Sequence, residues 1–199
     1  MATVPNVART REFDTGAAVD AAMSAFRRKG FEGTSVQDLV DATGIGRGSL
    51  YLAFGSKEEL YLAAVDRYRE RFAVPLAEAL RAGEPGPELI REVFVGLVDE
   101  IVRDARERAC LVAGAAMERA HQDPAVAARL KATTTVIEDA LFDVVVRART
   151  AGRLPDRGDA SGIARFLVTA MQGLRVMGAI DPDRDALLRT VDVTLDCLR

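Results

Sequence analysis

The side chains best equipped to engage another molecule lie between residues 34 and 57. Thr34, Ser35 and Ser49 carry hydroxyls, Gln37 an amide, Tyr51 a phenol, and Arg47 and Lys57 positive charge. Such a set suits the holding of phosphates and the reading of base edges rather than bond-making. An arginine fork matches O6 and N7 of guanine. Hydroxyls and free backbone N–H groups at a helix start suit a phosphate, and a lysine in a first helical turn acts on the same anion as the helix dipole. Gly48 has no side chain, so the backbone there can approach a ligand closely. The run Gly44-x-Gly46-x-Gly48 superficially looks like a phosphate-cradling loop, but Ser49 stands where a dinucleotide fingerprint needs its third glycine, and no strand is predicted before it. Bond-making chemistry has little to use. One histidine, His121, and two cysteines, Cys110 and Cys197, offer neither metal-ligand spacing nor a nucleophile with its base. No catalytic activity, cofactor or metal is expected.

These residues need rigid elements to position them, and helical spacing governs the chain. Prolines are sparse, the runs between them are rich in Ala, Leu, Arg and Glu, and no period-2 alternation is sustained. A first helix is predicted over 14–29, with Ala18, Ala21, Ala22, Ala25 and Phe26 on one stripe and Gly30 as its stop. Thr34-x-x-Gln37 reads as a capping box opening a second helix that ends at Gly44. Ile45-Gly46 leads into a third over 47–54, whose Leu50 and Phe54 share one face. Ser56-x-x-Glu59 starts a fourth, running to about Phe72 before Pro75 breaks or kinks it. Eight residues make a marginal helix on their own, so 47–54 must be braced by its neighbours. Two short helices joined by a glycine turn and packed on a third form a helix-turn-helix. Five more helices are expected, over about 87–106, 109–120, 124–151, 159–177 and 181–198. The run Thr133 to Ile137 leans locally to strand, but helical flanks carry through it. The expected fold is all-α, with a three-helix head over 1–56 and a larger helical bundle over 57–199, about nine helices in all.

Composition sets the outer bounds. With 49% apolar residues among 199, the chain can bury a core without staples and is not disordered in the main. The apolar stretch near the middle, Leu111 to Met117, falls far short of the ~18 residues a membrane span needs, so no membrane is expected. Residues 1–10 have no apolar segment after a basic start, so no secretory signal is expected, and two cysteines fit a reducing cytoplasm. Residues 1–57 hold seven Lys and Arg against six Asp and Glu, whereas the whole chain has a net charge of −3. A slightly basic head on an acidic body permits local phosphate binding. Eight of the eleven aromatic residues precede position 73.

The stretches Thr34-Ser-Val-Gln-Asp-Leu-Val-Asp-Ala-Thr-Gly44, Gly46-Arg-Gly-Ser-Leu-Tyr-Leu-Ala-Phe54 and Gly55-Ser-Lys-Glu-Glu-Leu60 resemble the DNA-binding domain of the TetR family of bacterial regulators. The likeness covers about residues 14–65. It implies a homodimer that binds a palindromic double-stranded operator, acts as a repressor and is released by a small-molecule inducer. Carried over position by position, it places Arg47 on a guanine, Thr34 or Ser35, Tyr51 and Lys57 on phosphates, and Gln37 and Ser49 on bases or phosphates, with Gly48 allowing close approach. Gly46 replaces a frequent serine cap, and Ala53 stands where an aromatic residue or histidine is common, leaving at most a contact to a thymine methyl. An all-α module that binds protein instead of DNA is the alternative.

The last two predicted helices carry stripes suited to a four-helix dimer bundle: Ile163, Phe166, Leu167, Ala170, Met171 and Leu174 on one, Leu187, Leu188, Val191, Leu195 and Leu198 on the other. An effector pocket is expected among the middle helices, lined by Phe94, Leu97, Met117, His121, Thr134, Ile137 and Met171. The few aromatics beyond position 73 argue against a cage for flat cations. Cys110, at a helix start, is a candidate redox sensor, its alternative being a small buried apolar residue.

Overall fold

Asp14 opens the first helix by accepting hydrogen bonds from the N–H groups of Gly16 and Ala17 at 2.8 and 3.1 Å. The computed structural model describes residues 13–103 and 110–198, so the expected ends of the helices at 106 and 109, and the reading of residues 1–10, fall outside it. The elements are α1 (Thr15–Lys29), α2 (Val36–Thr43), α3 (Arg47–Phe54), α4 (Lys57–Tyr68), a π-helical segment (Arg69–Ala73), α5 (Val74–Ala82), α6 (Pro87–Arg103), α7 (Leu111–Glu118), α8 (Pro124–Thr150), α9 (Ala160–Ile180) and α10 (Arg184–Asp196). Among the described residues there is no strand. Thr133 to Ile137 is helical, and Thr133 and Thr134 turn their hydroxyls onto the carbonyls of Arg129 and Leu130 one turn back.

Two local expectations shift, and the alternatives left open at Pro75 are decided. The capping box at α2 is formed by Ser35 and Asp38, one residue later than Thr34-x-x-Gln37. The last helix, expected from 181, is capped by Asp183 and begins at Arg184. Pro75 does not end its helix. A proline lacks an N–H and crowds the carbonyl four residues earlier, and the chain absorbs this by widening into a π turn in which the Val74 N–H reaches the Arg69 carbonyl. Residues 57–82 therefore make one continuous rod, and counting it once gives nine helices among the described residues.

Two apolar cores meet along that rod. In the head, Phe26, Phe31 and Tyr61 pack at ring-centre distances of 4.9 to 6.3 Å above Leu39, Ile45 and Leu50. The same core continues through Tyr68 to Cys110, Leu111, Val112 and Ala115 of the α7 region and to Val126 and Leu130 of α8. The second core joins α5, α6, α8, α9 and α10 around Phe94, Leu141, Val144, Leu167 and Leu174. The stripes expected to pair two chains are largely spent here: Leu167, Met171, Leu174, Leu187, Val191, Leu195 and Leu198 are buried within one chain. Phe166 of the expected stripe remains exposed, together with Val176, Met177 and Ile180 of α9 and Val193 of α10. By length and composition α9 could cross a membrane, with a mean hydropathy of 1.3 over its best 18 residues. It instead packs on α6, α8 and α10 and contributes Leu167, Met171 and Leu174 to their core.

Candidate nucleic-acid interface

Gly44 takes the left-handed conformation, φ 69° and ψ 12°, that lets the chain leave α2 and enter α3 at once. Leu50 of α3 and Ile45 of the turn are buried on the head core, and Phe54 packs against it. With that face anchored, Arg47, Gly48, Ser49, Tyr51, Leu52 and Ala53 are exposed, Leu52 at 84%. Arg47 lies over the Tyr51 ring, 5.8 Å from its centre, so the cation and the phenol share one side of the helix. No atom lies within 4 Å of where a Cβ on Gly48 would sit, which leaves room for a docking strand. Gly46 supplies no side-chain cap, as the departure from the family pattern implied.

The flanking positions divide. Ser35 is exposed at the start of α2, its hydroxyl shared between the Asp38 N–H and carboxylate. Gln37 is exposed and donates to Asp41 at 2.8 Å. Thr34 is fully buried, its hydroxyl donating to the Gly30 carbonyl at 2.6 Å, so it has no group to offer a phosphate. Lys57 is half-buried in the first turn of α4, its ammonium 4.2 Å from the Phe31 ring centre. Arg119 lies at the same distance from that ring. Phe31 thus links a candidate phosphate-binding lysine to the end of α7.

That link is reinforced by Glu118, whose carboxylate accepts the backbone N–H groups of Phe31 and Glu32 at 2.8 and 2.7 Å. The turn between α1 and α2 is held by a side chain of α7. Gly30 makes this possible twice over: its φ is +72°, and a Cβ there would stand 2.8 Å from a Glu118 oxygen.

Ion pairs brace the head. Lys29 contacts Asp38 at 2.5 Å, and Asp20 accepts from Arg67 and Arg71. The lysine, with Ser35, holds the Asp38 carboxyl well below the usual carboxylate range, and Arg67 lowers Asp20. A carboxylate whose folded-state pKa lies below its unfolded value of about 4 stabilises the fold above that pH and loses the contribution as pH falls through the folded value. We expect the melting temperature to hold from pH 7 to about 5 and to fall below about 4, and Asp38→Asn to flatten part of that fall. Thermal melts across that range check it.

The body encloses two adjoining cavities. A narrow one of about 30 Å³ is lined by Tyr68, Phe72, Thr133, Thr134, Ile137, Val168, Gln172 and Arg175 among others. A wider one of about 240 Å³ runs past Val93, Leu97 and Glu100. Phe72, Leu76, Met171 and Arg175 belong to both walls, so the two form one cleft between the rod of residues 57–82, α6, α8 and α9. Four expected lining residues come together here: Leu97, Thr134, Ile137 and Met171. Phe94 is fully buried in the core behind them. Met117 is 83% exposed on α7 and His121 is exposed beside Gln122, so neither reaches the cleft. Sequence reasoning missed Tyr68, Phe72, Gln172 and Arg175. Arg175 had a signal, as the one charged residue between Phe166 and Ile180. Cys110 sits at the cleft's head-side end, 6% exposed, its thiol donating to Gln172 at 3.3 Å and 3.6 Å from the Tyr68 hydroxyl. Oxidation-sensing thiols are accessible, and this one is enclosed.

Comparison with known proteins agrees with this geometry. Residues 18–64 match the bacterial regulatory proteins of the tetR family, and residues 86–193 match the tetracyclin repressor-like C-terminal domain. The chain is 35% identical over 191 residues to the uncharacterized HTH-type transcriptional regulator YezE of Bacillus subtilis (strain 168), covering 96% of this chain and 98% of that one. It is 28% identical to the HTH-type transcriptional repressor ComR of Escherichia coli (strain K12), covering 94% and 90%. Among solved structures, the regulator CifR, a cysteine mutant complexed with 26-bp operator DNA, superposes with a TM-score of 0.85 at 30% identity, covering 96% of this chain and all of that one. A helix-turn-helix with an outward reading face, joined to a helical body with an internal cleft, together with matches along nearly the whole sequence, makes this chain a member of the TetR family of bacterial transcriptional regulators.

Proposed function

We propose that this protein is a cytoplasmic, non-catalytic repressor that binds a palindromic operator as a homodimer and is released by a small molecule entering the cleft. The observation that carries the reading is the outer face of α3, where Arg47, Gly48, Ser49 and Tyr51 are exposed between Ser35 and Lys57 while the opposite face is locked into the core. In this reading Arg47 contacts a guanine, Ser35, Tyr51 and Lys57 contact phosphates, Gln37 and Ser49 reach bases or phosphates, and Gly48 lets the strand approach. Thr34 acts from inside, holding the turn. Residues 1–56 form the reading head and 57–199 the regulatory body, with α4 packed into both. Cys110 serves packing and hydrogen bonding.

One head touches few base pairs, and a dimer reads two half-sites about one turn apart, ~34–36 Å. The exposed stripe Phe166, Val176, Met177 and Ile180 supports α9 as the pairing face. In selection from random duplexes, the parent protein is expected to enrich an inverted repeat with that spacing. The double variant Val176→Asp, Met177→Asp is expected to sediment as a monomer and to lose about a hundredfold or more in affinity for the repeat, since an unpaired charge in an interface costs several kcal/mol. A monomeric parent, or a selected sequence without two-fold symmetry, would overturn the dimeric reading.

A further inference from the structure

We infer that the cleft takes a small apolar molecule bearing one carboxylate, with Arg175 as the anchoring cation and Glu100 as the internal anion that the ligand displaces; this rests on the proposal that the cleft is the effector site. Arg175 is the one charge on α9 between Phe166 and Ile180, and its side chain is only 13% exposed. A buried guanidinium is costly unless well paired. Its pairing here is poor. Both of its contacts to the Glu100 carboxylate are 3.4 Å long, whereas charge-assisted bonds close to roughly 2.7–2.9 Å. Glu100 is more exposed, at 30%, and can turn towards water when another anion takes the guanidinium.

Two other polar groups of the cleft, Gln172 and Tyr68, are donors with a weak acceptor or none. Gln172, three residues before Arg175 and so on the same face of α9, accepts the Cys110 thiol through its oxygen, and its Nε2 has no partner among the described residues. Among the described residues the Tyr68 hydroxyl has the Cys110 sulfur, a weak acceptor, as its hydrogen-bond partner, and burial pushes its pKa well up, which keeps the phenol a donor. The hydroxyls of Thr133 and Thr134 are already spent on carbonyls of their own helix. A carboxylate has two oxygens and no donor in its ionised form, so it complements Arg175, Gln172 and Tyr68 together. A cationic ligand would leave Arg175 buried beside a like charge. The remaining wall is apolar, from Phe72, Leu76, Ile137, Val168 and Met171. At about 240 Å³ the wider cavity lies below the ~300–1,000 Å³ of drug-sized sites, which limits the occupant to a single small ring or a short chain.

The test titrates the full-length protein, free of DNA, with benzoate and hexanoate, and with benzamide and benzylamine as matched neutral and cationic probes. Thermal shift and calorimetry read binding. The two acids are expected to bind at least about tenfold more tightly than either control. Glu100→Gln removes the competing anion and is expected to tighten benzoate about tenfold, and Arg175→Met to weaken it at least tenfold, with Arg175→Lys between. The comparison of acid with amide on the parent protein stands even if Arg175→Met fails to fold. Benzamide or benzylamine binding as well as benzoate, unchanged benzoate affinity in a folded Arg175→Met, or no binding by any probe overturns the inference. Operator release is measured separately. Carboxylate binding without release keeps the ligand class and removes the effector role, whereas release by a compound lacking a carboxylate keeps that role and overturns the class.

Discussion

Glu118→Ala is expected to destabilise the protein by about 2–3 kcal/mol and to disconnect the cleft from the reading head. The carboxylate satisfies the backbone N–H groups of Phe31 and Glu32, and its loss leaves both without a protein partner in a turn whose Phe31 is buried. For a chain of this length such a loss lowers the melting temperature by about 5–10 °C. The functional effect follows from position. Cys110 at one end of the α7 region touches two cleft residues, Tyr68 and Gln172, and Glu118 at the other end holds the turn that leads into α2. Arg119 and Lys57 meet on the Phe31 ring. A shift of α7 caused by an occupant of the cleft therefore reaches the start of α2 and Lys57, the lysine proposed to hold a phosphate, together. Any effector that differs in affinity for two placements of α7 biases the head, and the head's operator biases the cleft by the same factor. In Glu118→Ala the operator is expected to bind more weakly and a saturating effector to change that binding less than twofold. Glu118→Gln, which keeps one acceptor oxygen but turns an amide donor onto the second N–H, should recover only part of the stability. Melting curves and operator anisotropy with and without effector check both parts.

Arg47→Ala and Lys57→Ala are expected to weaken operator binding in different ways. Arg47 stands at the first position of α3, exposed and stacked near Tyr51. Its removal should cost about 1–3 kcal/mol and relax the preference at one base pair per half-site. With Lys57 in its proposed role on phosphate, its removal should weaken every duplex about equally and reduce the salt dependence by about one unit of slope per head. The pair of variants separates base reading from phosphate anchoring. A module that binds protein would show neither the salt slope nor the base preference.

Much of the head was legible because its signals are local. Gly30, Gly44 and Gly55 mark helix ends, and the bounds of α3 follow directly from Gly46 and Gly55. Even there, Thr34 and Ser35 are adjacent hydroxyls, and only the packing decides which caps the helix and which turns inward. Pro75 left a break and a kink both open, because sequence does not reveal that a helix can continue through a π turn. In the body the apolar periodicity of α9 and α10 was visible, but periodicity does not say whether a stripe meets its own chain or a second copy. Leu167 and Leu174 proved internal, whereas Val176 and Met177 face outward. The cleft was least legible, since its walls come from four helices whose crossing sets the lining. Met117 and His121 fall on the surface, while Tyr68 and Phe72 line the cleft from the stretch where the rod widens into its π turn.

The central claim, that the outer face of α3 reads bases in a major groove, is tested most directly by methylation interference at guanine N7 on the selected duplex. With the parent protein, methylation of one guanine in each half-site should block binding, and with Arg47→Ala that same guanine should become silent while the remaining pattern persists. An interference pattern identical for both proteins, or no interference at any guanine of the half-sites, would contradict the account.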